Sequence, residues 1–303
     1  MLHYTAVQWL FFFYFYCFFG WVFESAFVSV KSRHFVNRGF MRGPYLPIYG
    51  SGAIMMLVVS MPFQDNIFLT YIAGCIGATA LELVTGITME ALFKVRYWDY
   101  SNQKFNYRGH ICLSSTLAWG FLTILMTECV HRAVERAVFA IPGTLVVILT
   151  VIVSVCIVAD FTLSFKAALD LRDILIGLEK AKEEMERIQK RLDVIIAVAN
   201  DEWELRKLER ESYVEELMDN LERRFVHIKE RISIDPGAFV EDVREELMEL
   251  RGKYLMEKEE RMRFKHIKDF WQRNLIKGNP GMKSRRFEEA LEELKKVVEE
   301  YRK

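Results

Sequence analysis

Residues 74–100 read GCIGATALELVTGITMEALFKVRYWDY. Within them Gly74, Ala78, Glu82, Gly86 and Glu90 recur every fourth residue, a spacing that forms one slowly drifting stripe on a helix. Two carboxylates therefore share a face with three small residues. The flanking positions are apolar enough for a bilayer, where a carboxylate is costly unless it faces protein or a watery cavity. The stripe is expected to face inward, and the helix to feed directly into the polar, aromatic loop Arg96-Tyr97-Trp98-Asp99-Tyr100-Ser101-Asn102. The Gly74/Ala78 end also fits plain close packing of the small-xxx-small kind.

Outside this stretch the neutral overall charge conceals a division. Residues 1–165 hold 10 Lys+Arg and 8 Asp+Glu of the chain's 41 and 41, leaving 31 and 33 for residues 166–303. The first part suits lipid. The second cannot bury enough apolar surface for an ordinary globule, so its composition leaves a helical coiled coil or a disordered segment. Neither part has the basic excess that nucleic acid would call for, and no nucleic-acid partner is expected. All five cysteines lie in the apolar part and give no disulfide framework, so free thiols are expected.

The predicted fold class is all-α: a polytopic membrane helical bundle followed by a cytoplasmic coiled-coil and helical hairpin. The transmembrane domain covers 1–165, with five spans at about 7–30, 45–61, 67–93, 111–127 and 139–165; the cytoplasmic helical domain covers 166–303. In the first span Phe11, Phe12, Phe13, Phe15, Phe18 and Phe19 read as lipid-facing bulk. Pro44, Pro47, Gly50 and Gly52 predict broken opening turns for the second. Lys31, Arg33, Arg38 and Arg42 follow span one, and Lys94, Arg96, Lys104 and Arg108 follow span three, whereas the loop after span two offers only Asp65. The positive-inside tendency puts both basic loops in the cytoplasm, the N-terminus outside and the charged tail inside. No removed signal peptide is expected, and Glu128 and Glu135 are expected outside and solvated. From Leu171 a heptad seam runs through Ile174, Leu178, Ala181, Met185, Ile188, Leu192, Ile195 and Ala199, and a second apolar face covers 214–232. Breaks at Asp235-Pro236-Gly237 and Gly278-Asn279-Pro280-Gly281 let later helices, from about 238 and 284, fold back. The seam could join two copies or recruit a partner protein.

The candidate substrate-binding residues are Glu24, Arg38, Arg42, Glu82, Glu90, Trp98, Asp99, Asn106 and Arg108. Glu82 and Glu90 fit a cytoplasm-facing site for a cation, proton or amine; equally they fit pairing with Arg38, Arg42 or Arg108 to hold loops on helices. The arginines beside Trp98 and Tyr100 fit a grip on a phosphorylated lipid headgroup, or simply topology. His34, His110 and Cys112 match no common zinc spacing, Ser114 and Ser115 lack a nucleophile's surroundings, and no metal or cofactor is expected.

Several strings together resemble a known family. They are Gly20-Trp21 with Glu24, the loop NRGFMRGPYLPIYGSG at 37–52, Glu82 with Glu90, and WDYS at 98–101 followed by Asn106 and Gly109. These resemble the membrane domain of the putative ABC-transporter type IV, or CmpB-like permease, family over roughly the first half of the chain. The resemblance implies a multi-pass protein of the bacterial inner membrane with a permease-like role. The chain has no Walker-type phosphate loop, so any ATPase would be a separate subunit. Three functions are weighed: a transport component, which leads; a membrane enzyme acting on a lipid or polyprenyl phosphate; and a scaffold or sensor using its coiled coil. The balance leans away from an enzyme.

Overall fold

The computed structural model describes residues 4–199, 236–265 and 270–300. Its contacts separate two compact units, one of Met1–Asp173 with Ile267–Lys303 and one of Ile174–His266.

The first unit is a helical bundle built from α1 (Ala6–Ser32), α2 (Pro47–Ser60, extended by a short 3-10 turn to Phe63), α3 (Ile67–Phe93), α4 (Leu113–Leu125), α5 (His131–Phe139) and the first part of α6 (Gly143–Ala199). Its ends follow from local chemistry. Thr5 and Gln8 close a reciprocal capping box on α1, and Asn66 accepts from the Phe68 and Leu69 amides to start α3. Both helices stop at a cation in the left-handed conformation, Arg33 at φ 56° and Lys94 at φ 60°, where the helix dipole favours positive charge.

Four helical stretches are long and apolar enough to cross a membrane: Ala6–Ser32, Ile67–Phe93, Leu113–Phe139 and Gly143–Ile188; Pro47–Phe63 is apolar but shorter. Three sequence expectations change here. The α2 helix is unbroken, because Pro47 sits in its first turn, where the missing N–H costs nothing, and the irregular backbone falls before it. Helical structure continues past 127 through a π turn, Met126–Val130, into α5, where Glu128 pairs with Arg132 one turn on. Phe12 is fully buried rather than lipid-facing, in a core with Tyr16, Ala53, Met56, Leu57, Ala78 and Val134. Elsewhere large apolar side chains do point outward, among them Phe23, Phe27, Ile76, Val84 and Val155.

Close approach of backbones sets the bundle. A Cβ at Gly50 would stand 2.4 Å from the Cys17 sulfur, and one at Gly74 only 2.2 Å from Thr123 Oγ1. These two positions fix the α1–α2 and α3–α4 crossings, and no side chain fits at either.

Between α3 and α4 a two-residue hairpin, β1 (Asn106–Tyr107) with β2 (Ile111–Cys112), folds the second basic loop back on itself. The chain's last segment then joins this unit. The amphipathic helices α8 (Phe270–Gly278) and α9 (Glu288–Glu300) bury Leu275, Ile276, Leu291, Leu294 and Val298. Between them an extended stretch pairs with the loop after α3: the Arg96 amide donates to Lys283 O at 2.7 Å and the Lys283 amide to Arg96 O at 3.0 Å. Residues 270–300 thus group with the bundle. The buried apolar faces of α8 and α9 supply the physical reason.

In the second unit, α6 continues and α7 (Pro236–Lys265) follows. Leu175, Leu178, Ala181 and Ile188 are buried along α6, and Leu250 and Tyr254 along α7. The side chains of Met185, Leu192, Ile195 and Ala199, and the whole apolar face at 214–232, lie outside the described residues.

Candidate functional site

The stripe on α3 is a seam, and each of its polar positions has a different partner set. Glu82 is 7% exposed. Its Oε1 accepts from the Tyr100 hydroxyl at 3.0 Å, and its Oε2 from Trp119 Nε1 at 2.9 Å and the Ser115 hydroxyl at 3.4 Å. All three donors are neutral, so none of them brings a counter-charge. One turn on, the Trp98 and His110 rings pack against Gly86. Glu90 then pairs with Arg96 at 2.7 Å and lies 3.1 Å from His110 Nε2.

Arg96 is the hub of the loop that follows. Only 4% exposed, it also lies 3.6 Å from Asp99 and donates to Arg108 O at 2.8 Å. Burial raises the Asp99 carboxyl, but the Ser101 hydroxyl and amide together with Lys283 outweigh it and hold Asp99 at about 2. Burial lowers His110, and the nearby Arg96 charge adds to this against the opposing pull of Glu90. Burial raises the Tyr100 phenol, and the charges of Glu82 and, less strongly, Glu24 raise it further, so Tyr100 sits within the field of both carboxylates.

Glu24 reaches this region from α1. It accepts from Arg38 at 3.3 Å and from the Tyr49 hydroxyl at 2.6 Å. Arg38 is held in turn by Asn279, whose Oδ1 accepts from it at 2.8 Å while its Nδ2 donates to Gly39 O at 2.8 Å. The remaining candidates are dispersed. Trp98 donates to His110 O; Asn106 ties its own loop by donating to Ser101 O and Gln103 O; Arg108 is exposed, over the Tyr107 ring; Arg42 lies 4.0 Å over the Phe270 ring.

Of the residues proposed from sequence, Glu24 meets Arg38 beside Tyr49, Glu82 meets Tyr100, and Glu90 and Asp99 converge on Arg96. The side chains of Arg42, Asn106 and Arg108 join none of these groups. Sequence reasoning missed Arg96, Tyr49, Trp119 and Asn279 as partners. Arg96 and Tyr100 were visible as the polar members of the loop directly after the stripe. Asn279 had no such signal, since it lies 241 positions beyond Arg38. At the opposite end of the bundle, Tyr4 and Tyr16 bond the two nitrogens of buried His131, and Tyr4 also donates to Glu135. Glu135 is thus part of a hydrogen-bonded chain rather than simply solvated. Among the described residues no group of three or more metal-ligating side chains occurs.

These features define an all-α protein with several membrane-spanning helices and a polar, carboxylate-bearing seam at one end. The chain belongs to the family described as Putative ABC-transporter type IV, which it matches over residues 11–165, just over half its length. The match ends where the apolar part of α6 ends, so Asn279 and Lys283 lie outside it. No curated protein and no solved structure matches the chain.

Proposed function

We propose that this chain is the membrane-embedded component of an ABC-type transport system, and that Glu82 with Tyr100 forms a site for a proton or small cation approached from the cytoplasm. The observation that carries this reading is the contrast in compensation. Glu24 and Glu90 each have an arginine within the chain, whereas Glu82, the most buried of the three, has only neutral donors. An ionisable group kept in a membrane span without a counter-charge is costly, and function is the usual reason for its retention.

The orientation supporting this is N-terminus outside, with the two basic loops inside. Arg38 and Lys94, on different loops, both bond to the C-terminal segment, through Asn279 and Ser284 respectively, which brings the two loops to one end. An ATPase would be a separate subunit. The alternative of a lipid-phosphate enzyme is weakened because Arg38 and Arg96 are already engaged by carboxylates. Replacing Glu82 by Gln keeps shape and removes the charge; its oxygen can accept from Trp119 and Ser115, while its new N–H group can donate to the Tyr100 hydroxyl. In a deletion strain this variant should reach the membrane in normal amount yet fail to restore the lost phenotype. Full restoration would make the carboxylate structural and end the proposal.

A further inference from the structure

A cleft of about 450 Å³ lies within the first unit, between the loop after α1 and the C-terminal helices α8 and α9. It is separate from the carboxylate seam: neither Glu82 nor Glu90 lines it. Three permanent cations, Arg42, Lys277 and Lys295, line it against a single carboxylate, Glu299. Lys295 is bound to Met282 O and Glu292, which leaves Arg42 and Lys277 as the charges directed at a ligand.

Arg42 is preorganised. Its guanidinium stands 4.0 Å over the Phe270 ring and 5.3 Å from the Trp271 ring, and no carboxylate among the described residues pairs with it. Stacking fixes the plane of the fork while its edge N–H groups stay available, the arrangement that suits bidentate binding of phosphate. The amides of Asn37 and Asn274 add polar groups to the wall. Asp160, which accepts from the Arg42 and Gly43 amides, does not line the cleft. Three carbonyls at the end of α8 already have donors: Leu275 O and Ile276 O accept from Asn279, and Gly278 O from Arg38.

The other wall is apolar. Phe40, Met41, Ala167 and Val298 form it, next to Phe35, which is 74% exposed. Ser164 and Ala167 mark the end of the apolar part of α6, so the cleft opens where the membrane-embedded surface gives way to charge. A cationic, amide-lined end beside an apolar wall at that level matches a phosphate group attached to an apolar body.

We infer that this cleft binds a phosphate-bearing anion, with Arg42 and Lys277 gripping the phosphate and the Phe35 side accepting an attached acyl chain. Because its two walls come from the first basic loop and from the C-terminal segment, such a ligand would also bind those parts to each other. Free phosphate and an anionic phospholipid share the chemistry, and they differ in whether the apolar wall is used.

The test uses the full chain in detergent with short-chain phosphatidylglycerol, short-chain phosphatidylcholine and inorganic phosphate as separate probes, read by microscale thermophoresis. Phosphatidylglycerol should bind at least about tenfold more tightly than phosphatidylcholine, because only the former lacks a cation to oppose Arg42 and Lys277; a tenfold ratio corresponds to about 1.4 kcal/mol. The double variant Arg42→Gln/Lys277→Gln should erase that preference, while Lys104→Gln, on the other basic loop, should keep it. Inorganic phosphate binding that needs Arg42 and Lys277, without any gain from acyl chains, would support the site and assign it to the free anion. Should the double variant fail to fold, Asn274→Asp, which puts a negative charge in the wall without touching the stacked arginine, should weaken binding by a similar factor. Wild-type affinity in the variants, or equal binding of the two lipids, would overturn the inference.

Discussion

Glu82 and Glu90 lie two turns apart on one stripe of one helix, yet the protein treats them in opposite ways. Glu90 meets Arg96 and His110, so its charge is answered within the chain and the contacts anchor the loop after α3. Glu82 meets a tyrosine, a tryptophan and a serine, none of which carries a charge. Spacing alone places carboxylates on a common face, while the return path of the following loop decides which of them meets an arginine.

Breaking the support should have the largest effect. Arg96→Met leaves half-buried Glu90 without its cation and Asp99 with Lys283 alone, and losing charge-assisted contacts of this kind costs about 1.5–3 kcal/mol. Membrane abundance and melting temperature should both fall. Glu82→Gln should leave both nearly unchanged, and equal damage from the two substitutions would erase the distinction.

The seam beneath them gives a second, smaller effect. Gly74→Val drives a branched side chain into Thr123, and overpacking of this kind costs about 1–3 kcal/mol. Pairing it with Thr123→Ala should recover part of the loss in a double-mutant cycle, whereas strict additivity would place the strain elsewhere.

How far this arrangement was legible can be judged residue by residue. The stripe was readable because helical periodicity is local: Gly74, Ala78, Glu82 and Gly86 are all buried. The partner of Glu90 was not, since Arg96 lies six positions away on a loop whose course depends on a hairpin and on Lys283. The docking of α8 and α9 was hidden for the same reason: Arg38 and Asn279 meet across 241 positions, a distance at which no periodicity helps. Phe12 was misplaced because a phenylalanine-rich span looks the same from every side until its neighbours are known.

A third effect follows from that long-range contact. Asn279→Ala strips a hydrogen bond from Arg38 and leaves Gly39 O unsatisfied at a buried position, a loss of about 1–3 kcal/mol. Hydrogen exchange should rise over residues 33–46 and stay unchanged on α4. A uniform rise along the chain would mean that Asn279 supports the whole unit, not one loop.

The smallest effect is set by pH. His110 and Asp99 both have folded values below their ordinary ones. Each therefore contributes stability that is full above its unfolded pKa and is lost as pH falls through the folded one. Protection of residues 96–110 should begin to weaken below about pH 6.5 as His110 is forced to charge. The Asp99–Lys283 contact should persist until the range between about 4 and 2. Glu82→Gln should not change this profile; if it does, the two carboxylate regions are one coupled system.

The central claim is that Glu82 is a carboxylate left uncompensated so that it can take up a proton or cation. Infrared difference spectroscopy on the full chain in lipid, comparing wild type with Glu82→Gln as pH is stepped or a monovalent cation is added, tests it most directly. A carboxyl band should respond in the wild type, be absent from Glu82→Gln, and survive in Glu90→Gln. A carboxyl signal insensitive to both pH and cation, or the same response in Glu82→Gln, would contradict it.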